Sequence, residues 1–70
     1  MTIGLWEYTD LLHNTTMALI RIDAHKCINS HKYKGKLTLK EIEKKLIDYR
    51  LDLYMSKAYD ILERNNVKYE

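Results

Sequence analysis

The sequence predicts an all-α protein, a single helical domain spanning residues 1–70 and built as a small bundle of three to four helices. Three observations carry this. Gly4 and Gly35 are the only glycines and there is no proline, so two long stretches lack any strong backbone breaker. A complete helix start signal stands at Thr38. Thr38 caps, Glu41 follows three residues later to reach back, and Leu37 and Ile42 flank the pair as a hydrophobic staple. Finally, the apolar stripes of both stretches change face partway along, which suits a compact bundle better than a plain two-helix hairpin.

In the first stretch, Leu5, Tyr8, Leu12, Leu19 and Ile22 lie on one helix face. Ile20, Ala24, Cys27 and Ile28 lie on another. Asn14-Thr15-Thr16, three residues that favour caps over helix interiors, stands between them. The reading drawn from this is a helix over about 5–13 and a second over about 17–31, with one unbroken helix as the alternative. Met17 to Ile22 also has strand composition, but no partner strand is visible. Residues 32–36 form the loop, with Gly35 free to adopt a left-handed conformation.

The longest helix begins within two residues of Thr38. Leu39, Ile42, Leu46, Tyr49 and Leu53 make its first stripe. Ile47, Leu51, Tyr54, Ala58, Ile61 and Leu62 make a second, turned by roughly a quarter to a third of a revolution. Glu41–Lys45 and Asp60–Arg64 are supportive pairs four residues apart. Asn65-Asn66 ends the helix, and residues 67–70 are a tail.

The composition, 46% apolar and 31% charged, is that of a folded protein. A chain this short buries only about 60% of its unfolded surface. Its stability is therefore expected to lean on self-association, as a homodimer, or on a partner. Cys27 is the single cysteine, which fits a reducing compartment. No segment reads as a membrane span or a signal peptide, and the localisation expected is cytoplasmic.

No catalytic constellation is present, so an enzyme is not expected. Cys27 and His31 are four apart, with His25 nearby, but a structural zinc site needs four such ligands. No metal and no cofactor is expected. Asp48 and Asp52 read as neighbours on a solvated helix face. The net charge of +2 conceals an asymmetry: residues 26–45 hold seven lysines against Glu41 and Glu43, and the remainder is acidic. Lys32, Lys34 and Lys36 around Tyr33 are suited to weak, non-specific contact with phosphates. Six tyrosines with no phenylalanine imply that some face solvent or a partner.

Several short motifs resemble the Hha/YmoA family, small helical modulators of the nucleoid protein H-NS. Thr9-Asp10-x-Leu12 is similar to the family's T-D-x-L, Lys26-Cys27-Ile28 to its basic-Val-Ile, and Lys32-Tyr33 to its K-Y. After a two-residue insertion, Leu37-Thr38-x-x-Glu41-Ile42 is similar to L-S-x-x-E-L. Asp48-x-Arg50-Leu51 is similar to D-H-R-L, with Tyr49 in place of the histidine, and Met55-x-Lys57-x-Tyr59-Asp60 to M-x-K-x-Y-D. The tail lacks the family's proline and C-terminal tryptophan; the only tryptophan here is Trp6.

The resemblance implies four helices, no enzymatic activity and docking onto the dimerisation region of an H-NS-like protein, in support of transcriptional silencing. Asp48 matches the family's key aspartate. Asp52, Arg50 and Tyr49 accompany it as candidate partner-binding residues. Two competing functions follow from the residues alone. One is a small phage- or plasmid-encoded helical inhibitor that blocks a host protein, and the other is a helical DNA-binding dimer.

The isolated chain is expected to bind DNA with a Kd of about 10⁻⁴–10⁻⁶ M at physiological salt. Glutamate at positions 32, 34 and 36 together is expected to abolish that binding in a fluorescence-anisotropy titration. Tight, sequence-specific binding would support the DNA-binding dimer instead.

Overall fold

The computed structural model describes residues 1–29 and 35–70, and these form two long helices closed at one end by a short pair of strands. The order is β1 (Thr2–Ile3), α1 (Leu5–Ile28), α2 (Leu39–Arg64) and β2 (Lys68–Tyr69). Tyr8, near the start of α1, lines a pocket with Tyr59 and Glu63 from the far end of α2. Cys27, near the end of α1, shares a cleft with Lys45 and Leu46 from the start of α2. The helices therefore run antiparallel. The result is a rod of 45 × 19 × 15 Å.

The expected bundle of three to four helices is thus corrected to a two-helix hairpin. Asn14-Thr15-Thr16 does not interrupt α1. The hydroxyls of Thr15 and Thr16 donate back to the carbonyls of Leu11 and Leu12, each at 2.7 Å, as Thr9 does to Leu5 at 2.9 Å. Bonding back one turn satisfies the hydroxyl without freeing the chain, so the threonines ride within the helix instead of capping a new one. Met17 to Ile22 is helical as well. α1 ends at Ile28, short of the expected residue 31, which lies outside the described residues.

The change of buried face in α2 also has a different cause from the one expected. The helix carries one non-helical residue, Arg50, at φ −136° and ψ 16°, and kinks there. The two apolar stripes read from the sequence overlap between Ile47 and Leu53, centred on that residue. The stripe shifts because the helix is broken in phase; among the described residues there is no third or fourth helix to contact.

The core draws on the second stripe of each helix, joined by Thr16 in α1 and by Ile42 from the first stripe of α2, while Leu51 of the second stripe is exposed. Thr16, Ile20 and Ala24 are buried in α1, and Ile42, Tyr54, Ala58 and Leu62 in α2. Leu5 and Ile22, expected on the buried face of α1, are exposed. The rows Thr16/Ile20/Ala24 and Tyr54/Ala58/Leu62 both advance by four residues, along the i±4 ridge of a helix. Each row holds one fully buried alanine, Ala24 in α1 and Ala58 in α2. Tyr54 is the largest fully buried side chain, at 1% exposure. Its hydroxyl donates to Asp23 Oδ2 at 2.6 Å, joining the helices by a hydrogen bond to a carboxylate.

The ends of α2 match the sequence reading. The Glu41 N–H donates to Thr38 Oγ1 at 3.2 Å, and the Thr38 hydroxyl meets Glu41 Oε1 at 3.1 Å. At the other end Asn66 takes a left-handed conformation, φ 57°. The Asn66 N–H donates to Glu63 O and the Val67 N–H to Leu62 O, the paired bonds of a Schellman motif. Gly35 has φ 76°, as its turn requires.

Residues 67–70 are not the loose tail expected. The Schellman turn reverses the chain, so that β2 runs parallel to β1 with Thr2 opposite Lys68 and Ile3 opposite Tyr69. Lys68 N–H donates to Met1 O at 2.8 Å, and Glu70 N–H to Ile3 O at 3.3 Å.

Thr38→Ala is expected to lower stability by about 0.5–2 kcal/mol, read from denaturation followed by circular dichroism. Burial, together with the bond to Asp23, pushes the Tyr54 phenol from 10.0 up to about 12. Below pH 10 the hydroxyl keeps its proton in both states. Between pH 10 and 12 the unfolded phenol ionises while the folded one does not. Stability then falls with rising pH, by up to about 1.4 kcal/mol per unit. Tyr54→Phe is expected to reduce that alkaline slope, leaving the part that Tyr8 contributes, and to cost about 1.5–3 kcal/mol at neutral pH, since Asp23 loses its donor. An unchanged slope in pH-dependent urea titrations would show that Tyr54 carries none of it.

Candidate functional site

Asp48, Tyr49, Arg50 and Asp52 all sit at the kink of α2. All four are exposed, Tyr49 at 83%. With Ile47, Leu51 and Leu53 they line a notch of about 490 Å³ in the helix surface. The notch exists because Arg50 leaves helical geometry. In an unbroken helix these seven residues would wrap around the full circumference. The same break alters the relation of the two carboxylates. A spacing of four residues places Asp48 and Asp52 on one face of a regular helix, but here the spacing passes through the non-helical Arg50. Tyr49 and Arg50 also line the neighbouring cleft with Cys27, Lys45 and Leu46. The arrangement presents an aromatic ring, two carboxylates and a guanidinium to solvent from one short segment.

The other sequence candidates are less gathered. Lys36 is exposed just after the Gly35 turn, whereas Lys32 and Lys34 lie outside the described residues. Cys27 is half-buried and His25 exposed, and His31 is outside the described residues. Among the described residues, no three His, Cys, Asp or Glu side chains are grouped so as to hold a metal ion. Nor is any helix there long and apolar enough to cross a membrane.

A second site was not foreseen from the sequence. Tyr8 of α1, Tyr59 and Glu63 of α2, and Val67, Lys68 and Tyr69 at the returning strand enclose a pocket of about 410 Å³. The rings of Tyr8 and Tyr69 are 4.6 Å apart between centroids and inclined at 45°. Burial raises the Tyr8 phenol above its usual range, and the neighbouring Tyr59, Tyr69 and Glu63 groups raise it further. The sequence signal was the surplus of tyrosine over phenylalanine. Three of the six tyrosines meet here, but only once the chain has folded back at Asn66. A third, more apolar groove of about 380 Å³ runs between the helices and includes Leu12, Ile47, Leu51 and Met55.

No protein-family model, no curated protein and no solved structure matches the chain.

Proposed function

We propose that this protein is a small non-enzymatic regulator that acts in the cytoplasm by binding another protein, and that the kinked segment of α2 is its docking surface. The observation that carries this is the surface the hairpin leaves uncovered. The chain exposes 5599 Å², against about 4,600 Å² for a compact monomer of its mass. The excess, on the order of 1,000 Å², is comparable to what one partner contributes to a standard interface. Its radius of gyration is 14.2 Å, where a globular chain of this length has about 11 Å. Trp6 and Tyr49 stand almost fully in solvent, and both residue types are enriched in interfaces.

In its most concrete form, the regulator modulates an H-NS-like nucleoid protein in transcriptional silencing. The support is local. The Asp48-x-Arg50-Leu51 motif that resembles the Hha/YmoA family falls in the exposed notch. The two-helix hairpin departs from the four helices which that resemblance implies, so the reading rests on this segment and not on a shared architecture. Asp48 and Asp52 would face basic residues of the partner, gaining charge-assisted contacts.

The test is a pull-down from bacterial lysate followed by titration of the recovered partner. Asp48→Asn is expected to keep the helical spectrum and, if the contact is buried in the complex, to weaken binding by about 2–5 kcal/mol. A change below about 1 kcal/mol would be that of a locally solvated carboxylate, and would remove Asp48 from the interface. Recovery of H-NS supports the nucleoid reading. Recovery of a single enzyme would favour an inhibitor.

A further inference from the structure

We propose that the tyrosine pocket at the strand end of the rod is a receptor for an alkylated ammonium group. This rests on different residues from the kink and does not depend on the proposed regulatory partner.

The pocket has the parts that recognition of such a cation requires. Three aromatic rings arrive from three separate elements: Tyr8 from α1, Tyr59 from α2 and Tyr69 from β2. Tyr8 and Tyr69 pack against each other, with centroids 4.6 Å apart, and form one aromatic wall. The negative electrostatic potential of aromatic faces attracts a cation too bulky and too poorly hydrated to prefer water. Val67 adds an apolar surface. Glu63 supplies a full negative charge at the same pocket. The volume of about 410 Å³ accommodates a trimethylammonium head together with part of its tether. Tyr59 and Tyr69 are about half exposed, at 46% and 54%, so the opening faces solvent.

The surrounding field has the matching sign. Around this end of the rod, residues 1–13 and 58–70 carry five side-chain carboxylates, Glu7, Asp10, Asp60, Glu63 and Glu70, against the side chains of Arg64 and Lys68 and the Met1 ammonium, which donates to Asn66 O. An anionic ligand is disfavoured there, whereas a cation is drawn in. Lys68 is the one opposing group on the pocket lining. Its backbone N–H is held by Met1 O and its side chain is exposed. It therefore weakens the attraction for an added cation. A purely structural role for the three tyrosines, clamping β2 onto the helices, predicts none of this charge preference.

The experiment is a titration of the full chain by NMR, following the tyrosine ring signals and the methyl protons of the ligand. The probes are tetramethylammonium, choline and the neutral tert-butyl isostere of choline. The expected result is saturable binding of both cations, with ligand methyl signals shifted upfield by the rings. The neutral isostere should bind about two- to fivefold more weakly, the effect of one cation–π contact at a partly exposed site. Glu63→Gln should weaken choline binding several-fold and Lys68→Gln should strengthen it. Tyr59→Leu keeps apolar bulk and should erase the preference for cation over isostere. Glu63 and Lys68 are exposed, so their variants test the proposal even where Tyr59→Leu fails to fold. A peptide bearing trimethyllysine that binds at least tenfold tighter than choline assigns the group to a protein side chain. Equal affinity assigns it to a small-molecule headgroup. Equal binding of cation and neutral isostere, or no saturable shift with any cation, overturns the proposal.

Discussion

Everything in this molecule depends on a single seam between two helices. A hairpin of two helices covers one side of each and leaves the rest to solvent. The seam therefore has to hold with little material. It is made of the buried side chains of Ala24, Ala58, Ile20, Tyr54 and Leu62. Thr16 joins the row at no polar cost because its hydroxyl is satisfied one turn back, at Leu12. The bond from Tyr54 to Asp23 then fixes the relative position of the two helices in a way that apolar contact alone does not. A slide by one helical turn would strand a buried phenol away from its acceptor.

The local punctuation of the chain was legible in its residues. Thr38 with Glu41, the turn at Gly35 and the stop at Asn65-Asn66 all depend on backbone groups within a few residues of the side chain concerned. Such interactions are decided by neighbours in sequence. Asn14-Thr15-Thr16 misled because the same side chains have two local solutions, capping a new helix or bonding back within an old one. The choice was made by the uninterrupted packing of Thr16, Ile20 and Ala24 against α2. Likewise the shifted stripes of α2 were visible, but one break at Arg50 and a set of new helices leave the same trace in the pattern.

The two candidate sites differ in the same respect. The kink segment is seven consecutive residues, so a sequence motif could point to it. The tyrosine pocket is assembled from residues as far apart as 8 and 69, and it closes only when the chain reverses after α2. No spacing rule joins those positions. The surplus of tyrosine announced that aromatic rings with polar edges were wanted somewhere at the surface, and the parallel pairing of two very short strands decided where.

The hairpin also separates charge along its length. The end where the helices connect holds Lys26, Lys36, Lys40, Lys44 and Lys45 against two glutamates, while the strand end is acidic. Because the rod is more than twice as long as it is wide, this amounts to a permanent electric moment along the 45 Å axis. In the field of a polyanion such a molecule experiences a torque before it experiences contact. It turns its connecting end inward and its strand end outward. The orientation is imposed at a range set by the ionic strength, on the order of 10 Å in physiological salt. A rod-shaped chain of small net charge thus arrives tip first, with the pocket held away from the surface it approaches.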